Sequence, residues 1–199
     1  MQTPESIFEV SKQNYNQAQK IITEISEIVT AVQPDFDIGT ARVCFDLIIQ
    51  SCMLNAAAQD GELEGSEIDF IKNVTCYADI LKLINAEVKQ KQNSAFAGFE
   101  WEQVAGFNPE QLNKLAIAAA AIVDPYAQNL VSIFAIVDKI VDDIDYRKLL
   151  DDAVGAMFVG IAGIDGDDLD SENAVREGCF AFLIYDKMVD KKWKKIVEG

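Results

Sequence analysis

Two short acidic turns hold the side chains of this chain best suited to do chemistry. The first reads Asp60-Gly61-Glu62-Leu63-Glu64-Gly65-Ser66-Glu67, the second Asp165-Gly166-Asp167-Asp168-Leu169-Asp170-Ser171-Glu172. A shift of 105 residues superposes Asp60-Gly61 on Asp165-Gly166 and Ser66-Glu67 on Ser171-Glu172, with Glu62 on Asp167. Asp46, Ala57 and Lys82 fall on Asp151, Ala162 and Lys187 in the same register. Each turn lies between apolar, helix-like stretches, so the repeated unit is helix, acidic turn, helix. Much of the motif is helix punctuation. Gly61 and Gly166 can take the left-handed conformation that ends a helix. Ser66 and Ser171 can cap the next helix, with Glu67 and Glu172 in its first turn, where negative charge is favourable. Asp69 can complete a capping box with Ser66, whereas Ala174 breaks the equivalent in the second copy.

Other chemistries fail on their spacing. An EF-hand loop begun at Asp60 would need a bidentate acid at its twelfth position, which is Ile71; begun at Asp165, its sixth position is Asp170 and its twelfth Arg176. Neither Asp142-Asp143-Ile144-Asp145 nor Asp167-Asp168-Leu169-Asp170 reproduces the D-D-x-x-D pattern of helical diphosphate enzymes. There is no phosphate loop, and Gly160, Gly163 and Gly166 are no dinucleotide fingerprint. With 0 histidines the chain has no Ser-His-Asp or Cys-His nucleophile, no imidazole base and no His-containing zinc site. Cys44, Cys52, Cys76 and Cys179 form no C-x-x-C pair and lie in apolar stretches, so they read as buried free thiols in a reducing compartment.

The elements that must position these residues are helices, and no stretch alternates like a strand. Thr3-Pro4-Glu5 starts a helix that runs to about Val32. Its apolar seam is Phe8, Tyr15, Ala18, Ile22, Ile25, Val29 and Val32, spaced near three and four. Such a seam packs either within the protein's own bundle or in a dimeric coiled coil. A second helix spans about 40–59; a third begins at Ser66, its pattern continuing through Val88. One short helical piece is expected within 99–106. Asn108-Pro109-Glu110 and Asp124-Pro125 then read as starts of two separate helices, 110–123 and on to about 143. Helices over 146–163 and from Ser171 into the C-terminal region complete a bundle of seven to nine.

Asp60-Gly61-Glu62-Leu63 followed by Glu67, with Ala56-Ala57-Ala58 before it, resembles the helix-junction motif of tellurite-resistance TerB-like domains. The resemblance covers about 40–92 and 146–190. The second copy departs from it: its leucine, Leu169, stands one place late, and Asp168 adds an acid. The resemblance implies an all-α, multi-helix orthogonal bundle with two similar helix–acidic turn–helix units. Residues 1–39 would form an N-terminal heptad-like helix and linker, and 40–199 a TerB-like domain with units 40–92 and 146–190 around a helical middle segment. It further implies a divalent cation held by Asp60, Glu62, Glu67, Asp165, Asp167 and Glu172. Carboxylate oxygens suit Ca, Mg or Mn. If the two turns meet, their mutual repulsion raises some carboxyl pKa values, and a cation relieves it. If they do not, the acids are solvated punctuation.

The balance of 33 acidic and 17 basic residues, net charge −16, opposes nucleic-acid binding. The one basic cluster is Lys187, Lys191, Lys192, Lys194 and Lys195 around Trp193. It reads as a solvated helix end, with an acidic partner as the other option. The longest unbroken apolar runs, 115–123 and 153–164, fall short of a membrane span, and residues 1–10 do not read as a secretory signal. The expectation is a cytoplasmic, non-enzymatic binding or scaffold module, monomer or homodimer, cation-binding and linked to metal or stress response, whose protein partner the sequence does not name. The alternative is a magnesium-dependent all-helical enzyme acting on a phosphorylated small molecule. A third option is a structural or phage-like accessory protein that assembles through its first helix. Five or more carboxylates converging with basic groups in a deep pocket would favour the enzyme; acids on an open rim would favour the module.

Overall fold

The computed structural model describes the backbone of residues 4–90, 98–165, 169–181 and 183–184, and the side chains of 8–87, 98–161, 175–181 and 183–184. Among them there are eight α-helices and no strand: α1 (Pro4–Val32), α2 (Ile38–Asp60), α3 (Gly65–Asn73), α4 (Ile80–Gln90), α5 (Trp101–Val104), α6 (Pro109–Val137), α7 (Tyr146–Asp165) and α8 (Leu169–Ala181). The fold is an all-α orthogonal bundle. The Lys-rich segment around Trp193 lies outside the described residues.

α2 is the central helix because it has no polar face. Every residue from 44 to 54 is buried, as expected for a helix apolar nearly all round. α1, α6 and α8 pack against it, α7 lies along α1, α3 packs on α7, and α4 on α6. The seam of α1 faces this core: Tyr15, Ala18, Ile22, Ile25 and Val29 are at most 2% exposed, so the seam is filled inside the bundle. α1 and α7 meet closely where Ser11 crosses Gly160, and a Cβ at Gly160 would collide with the Ser11 hydroxyl. α2 and α6 are each long and apolar enough to cross a membrane by length and composition. In α2, 78% of that stretch is inside the protein, in α6 44%, and both are packed as bundle helices.

Two boundaries differ from the sequence expectation. α6 is one helix, running straight through Asp124-Pro125. A proline inside a helix costs about 3 kcal/mol, largely through a lost hydrogen bond to the carbonyl four residues back. That residue, Ala121, is exposed, as is Pro125, so water can serve the carbonyl. The opposite face continues unbroken through Ile122, Val123, Ala127 and Leu130, all buried. The reverse holds after Ser66: the expected single helix is two, α3 and α4, separated by residues 74–79. Side chains from α2 satisfy the backbone of that break, as described next.

Candidate functional site

The first acidic junction closes α2 and opens α3. Gly61 is left-handed at φ 91°, and its N–H bonds the Ala57 carbonyl at 3.0 Å, as its position predicts. Asp60 then folds back, its Oδ1 accepting from the Glu62 N–H at 2.8 Å. The cap of α3 is Glu64, one turn-residue pair earlier than the expected Ser66, and the capping box joins Glu64 to Glu67 instead of Ser66 to Asp69. Glu67 Oε2 accepts from the Glu64 N–H at 3.0 Å. A carboxylate at the third helical position reaches the cap amide better than Ser66, which lies inside the first turn.

Glu67 Oε1 meets Arg176 Nη2 of α8 at 2.7 Å, and both side chains are only 1% exposed. Burial pushes the Glu67 carboxyl above its ordinary value, against the opposing pull of Arg176 and the Glu64 amide; the nearby Asp60 charge adds to the rise. Both Glu67 oxygens are therefore engaged within the protein. Of the six candidate ligands, Asp60 and Glu62 are exposed beside this buried pair. The side chains of Asp165, Asp167 and Glu172 lie outside the described residues. Among the described residues no group of three or more Asp, Glu or Cys side chains is placed to hold a metal ion.

A second polar centre was not foreseen. Asp46 and Gln50 stand one turn apart on α2, both 0% exposed. Asp46 Oδ1 accepts from the Tyr15 hydroxyl at 2.6 Å and Gln19 Nε2 at 2.8 Å. Its Oδ2 accepts from the Tyr77 N–H at 2.6 Å and the Ala78 N–H at 3.3 Å. Gln50 Nε2 donates to Thr75 Oγ1 and the Ala78 carbonyl, while its Oε1 accepts from the Ile80 N–H at 2.8 Å. Four of the orphan backbone groups between α3 and α4 are thus served by two side chains. Burial raises the Asp46 carboxyl to about 6 against those donors, and raises the Tyr15 hydroxyl as well. The signal was present in the sequence: an acid and an amide four apart in an otherwise apolar run.

The clasped loop forms one wall of a groove of about 650 Å³, completed by the end of α3, the start of α4 and Glu100, Trp101 and Glu102 at the start of α5. Both of its lysines are paired: Lys72 with Glu102, and Lys82 Nζ with Asp79 Oδ2 at 3.3 Å. Trp101 Nε1 donates to Asp79 Oδ1 at 3.3 Å, and Tyr77 stands exposed on the rim under the Arg42 guanidinium. A separate cleft of about 510 Å³ at the α6–α7 connection gathers Asp138, Asp142, Asp145 and Asp151 with Arg147 and Lys148. All four acids are exposed; Arg147 pairs with Asp138, and Lys148 Nζ with Asp152 Oδ2 at 2.7 Å. Burial, then Asp152, push the Asp151 carboxyl up.

Sequence reasoning missed Arg176, which it met only as a wrong residue in a calcium loop. It also missed the role of Asp46, noted only as a repeat match. Comparison with known proteins gives no match: no family model fits the chain, and no curated sequence or solved structure is similar to it.

Proposed function

We propose that this protein is a non-enzymatic binding or scaffold module of the TerB-like kind, built from two helix–acidic turn–helix units, 40–92 and 146–190. The observation that carries the reading is how the charged groups are placed. Among the described residues the best-buried acids, Asp46 and Glu67, hold helices and a loop together. The carboxylate-lined cleft at the α6–α7 connection is an open rim whose basic groups already have acidic partners. Catalysis on a phosphorylated molecule needs carboxylates and basic groups that converge and remain available. The duplicated-unit reading draws support from the packing: α2 lies on α8 and α3 on α7. That is the crosswise exchange two similar units make about a pseudo-two-fold axis.

Under this reading a divalent cation, Ca, Mg or Mn, is held weakly by Asp60 and Glu62 with Asp165, Asp167 and Glu172. Glu67, paired with Arg176, is a buried strut beside Asp60 and Glu62. Calorimetry with the three cations on the wild type and on an Asp60→Asn, Asp165→Asn double variant tests it. Saturable binding that the double variant loses supports the cation role; no binding by the wild type removes it. Magnesium-dependent binding of pyrophosphate, abolished by Asp142→Asn, would instead support the enzyme.

A further inference from the structure

α8 turns the chain back toward the start of α7. Residues 166–168 alone separate the end of α7 from the start of α8, and the two helices pack on each other. A Cβ built on Gly155 of α7 would stand 3.4 Å from Glu177 Oε1 of α8, so these positions are level and α8 runs antiparallel to α7. Leu183 and Ile184 lie beyond α8, helical and at most 5% exposed. At about 1.5 Å per helical residue, Ile184 stands ~10 Å past Glu177, and Tyr146 ~13 Å past Gly155 in the same direction. The chain thus leaves its described part close to the α6–α7 connection.

The cleft at that connection is unbalanced in charge and partly apolar. Residues 138–152 hold six acids against three basic groups, Lys139, Arg147 and Lys148. Arg147 pairs with Asp138 and Lys148 with Asp152, and among the described residues no ion pair engages Asp142, Asp143, Asp145 or Asp151. Ile144 lines the cleft, and Ile140 and Leu149, on either side of it in sequence, are exposed as well. Three of the eight exposed large apolar side chains among the described residues thus fall within 140–149. The segment that leaves the fold here is the chemical complement. Residues 187–195 carry five lysines against one acid, Asp190, with Met188, Val189 and Trp193 among them. We propose that residues 187–195 dock on this cleft of their own chain, lysines on Asp142, Asp145 and Asp151 and Trp193 on the apolar side chains around Ile144. At about 3.3 Å per extended residue, Lys187 to Lys195 reach up to roughly 10 to 36 Å from Ile184, enough to span the cleft. A tether this short holds the lysines at an effective concentration of about millimolar, which favours the same chain over a second copy. Single exposed ion pairs contribute little, but several of them together with the area of a tryptophan make a contact. The contact uses neither acidic junction, so it stands apart from the cation role.

The full chain, at low micromolar concentration, is treated with a water-soluble carbodiimide, which joins a lysine amine to a carboxylate only in direct contact. The linked peptides are then mapped by mass spectrometry. Links from the lysines of 187–195 to Asp142, Asp143, Asp145 or Asp151 are expected within one molecule. They should fall several-fold at about 1 M salt, where the screening length is near 3 Å. In an equal mixture of isotope-labelled and unlabelled chains, mixed-label links would place the segment on a second copy and overturn the proposal. Links to other acids alone, or none, would do the same. Acrylamide quenching gives a second readout, with Trp101, 5% exposed, as a constant background. Quenching of Trp193 should rise in the triple variant Asp142→Asn, Asp145→Asn, Asp151→Asn, in which the amide oxygen at 145 still caps the Lys148 N–H. Equal quenching in the wild type and the variant would refute the docking. Should the variant fail to fold, the wild-type map decides alone.

Discussion

Arg176→Met is the most informative perturbation of this bundle. The substitution keeps the volume of the side chain and removes its charge, leaving the Glu67 carboxylate 1% exposed with one backbone N–H as its named donor. Breaking a buried pair by removing one partner costs about 3–5 kcal/mol, because the remaining charge is stranded out of water. For a chain of this size each kcal/mol moves the midpoint about 2–4 °C, so a fall of roughly 6–20 °C is expected. Urea unfolding at neutral pH should show it as a shift of midpoint with unchanged slope. Glu67→Gln should cost a similar amount, since it strands Arg176 instead. The double variant Glu67→Gln, Arg176→Met buries no charge and should recover at least 2 kcal/mol relative to the sum of the singles, about the upper range for coupled neighbours. That cycle also cancels the other contacts of Arg176. A pH signature accompanies it. Glu67 has a folded pKa above its ordinary value. Its native state takes up a proton more readily than the unfolded chain, so its contribution to stability is lost as pH rises through the folded pKa. Without Arg176 that rise grows, and the deficit of Arg176→Met should narrow as pH falls. A single-variant cost under about 1 kcal/mol at neutral pH, or a double variant no more stable than additivity predicts, would refute the reasoning.

Three further outcomes are expected. Asp46 has a folded pKa near 6 against an ordinary 3.8, so the native state binds its proton first. Its ionisation should lower stability by up to about 3 kcal/mol as pH rises from below 4 to above 6, a slope that Asp46→Asn should lack in paired urea titrations. At low pH Asp46→Asn should still cost about 1–3 kcal/mol, because its amide N–H₂ faces donors on either side. Gly61→Ala should cost about 1–2 kcal/mol by thermal or urea melts, from the left-handed φ and a Cβ set 3.0 Å from Pro109 Cγ. Gly65→Ala, with nothing within 4 Å of the added carbon, should be neutral or slightly stabilising. Gly160→Ala should destabilise through the collision with Ser11, and Ser11→Gly should restore part of the loss in the same assay.

The parts of this fold legible in the sequence are those set by neighbours along the chain. Asn108-Pro109 starts α6 with Asn108 Oδ1 capping the Gln111 N–H, and Gly61 ends α2, because a cap needs only the residues within one turn. The seam of α1 was legible for the same reason: its period is local. Pro125 misled because a helix break costs a local amount, and the apolar stripe on both sides outweighs it. The gap between α3 and α4 was invisible for the converse reason. Residues 74–79 carry helix-compatible spacing, and what holds them open comes from Asp46 and Gln50, about thirty residues upstream. The candidate site suffered most. Glu67 and Arg176 are 109 residues apart, and no periodicity links them.

The arginines show how an acidic chain of this composition is held together. There are three, against fourteen lysines, in a net charge of −16. Arg42 bonds Thr23 of α1 and covers the Tyr77 ring of the clasped loop. Arg147, at the start of α7, pairs with Asp138 at the end of α6. Arg176 ties α8 to α3. Each stands at a joint between elements, where a planar guanidinium can bond several oxygens or cover a ring at once. Among the described residues the lysines that form pairs do so on exposed surface, where such pairs contribute little. Cation type rather than cation number therefore separates joints from solubility. Arg176 is the only one of the three arginines that is fully buried. Its carboxylate partner is accordingly engaged inside the protein, although its place in the sequence motif made it look like a ligand.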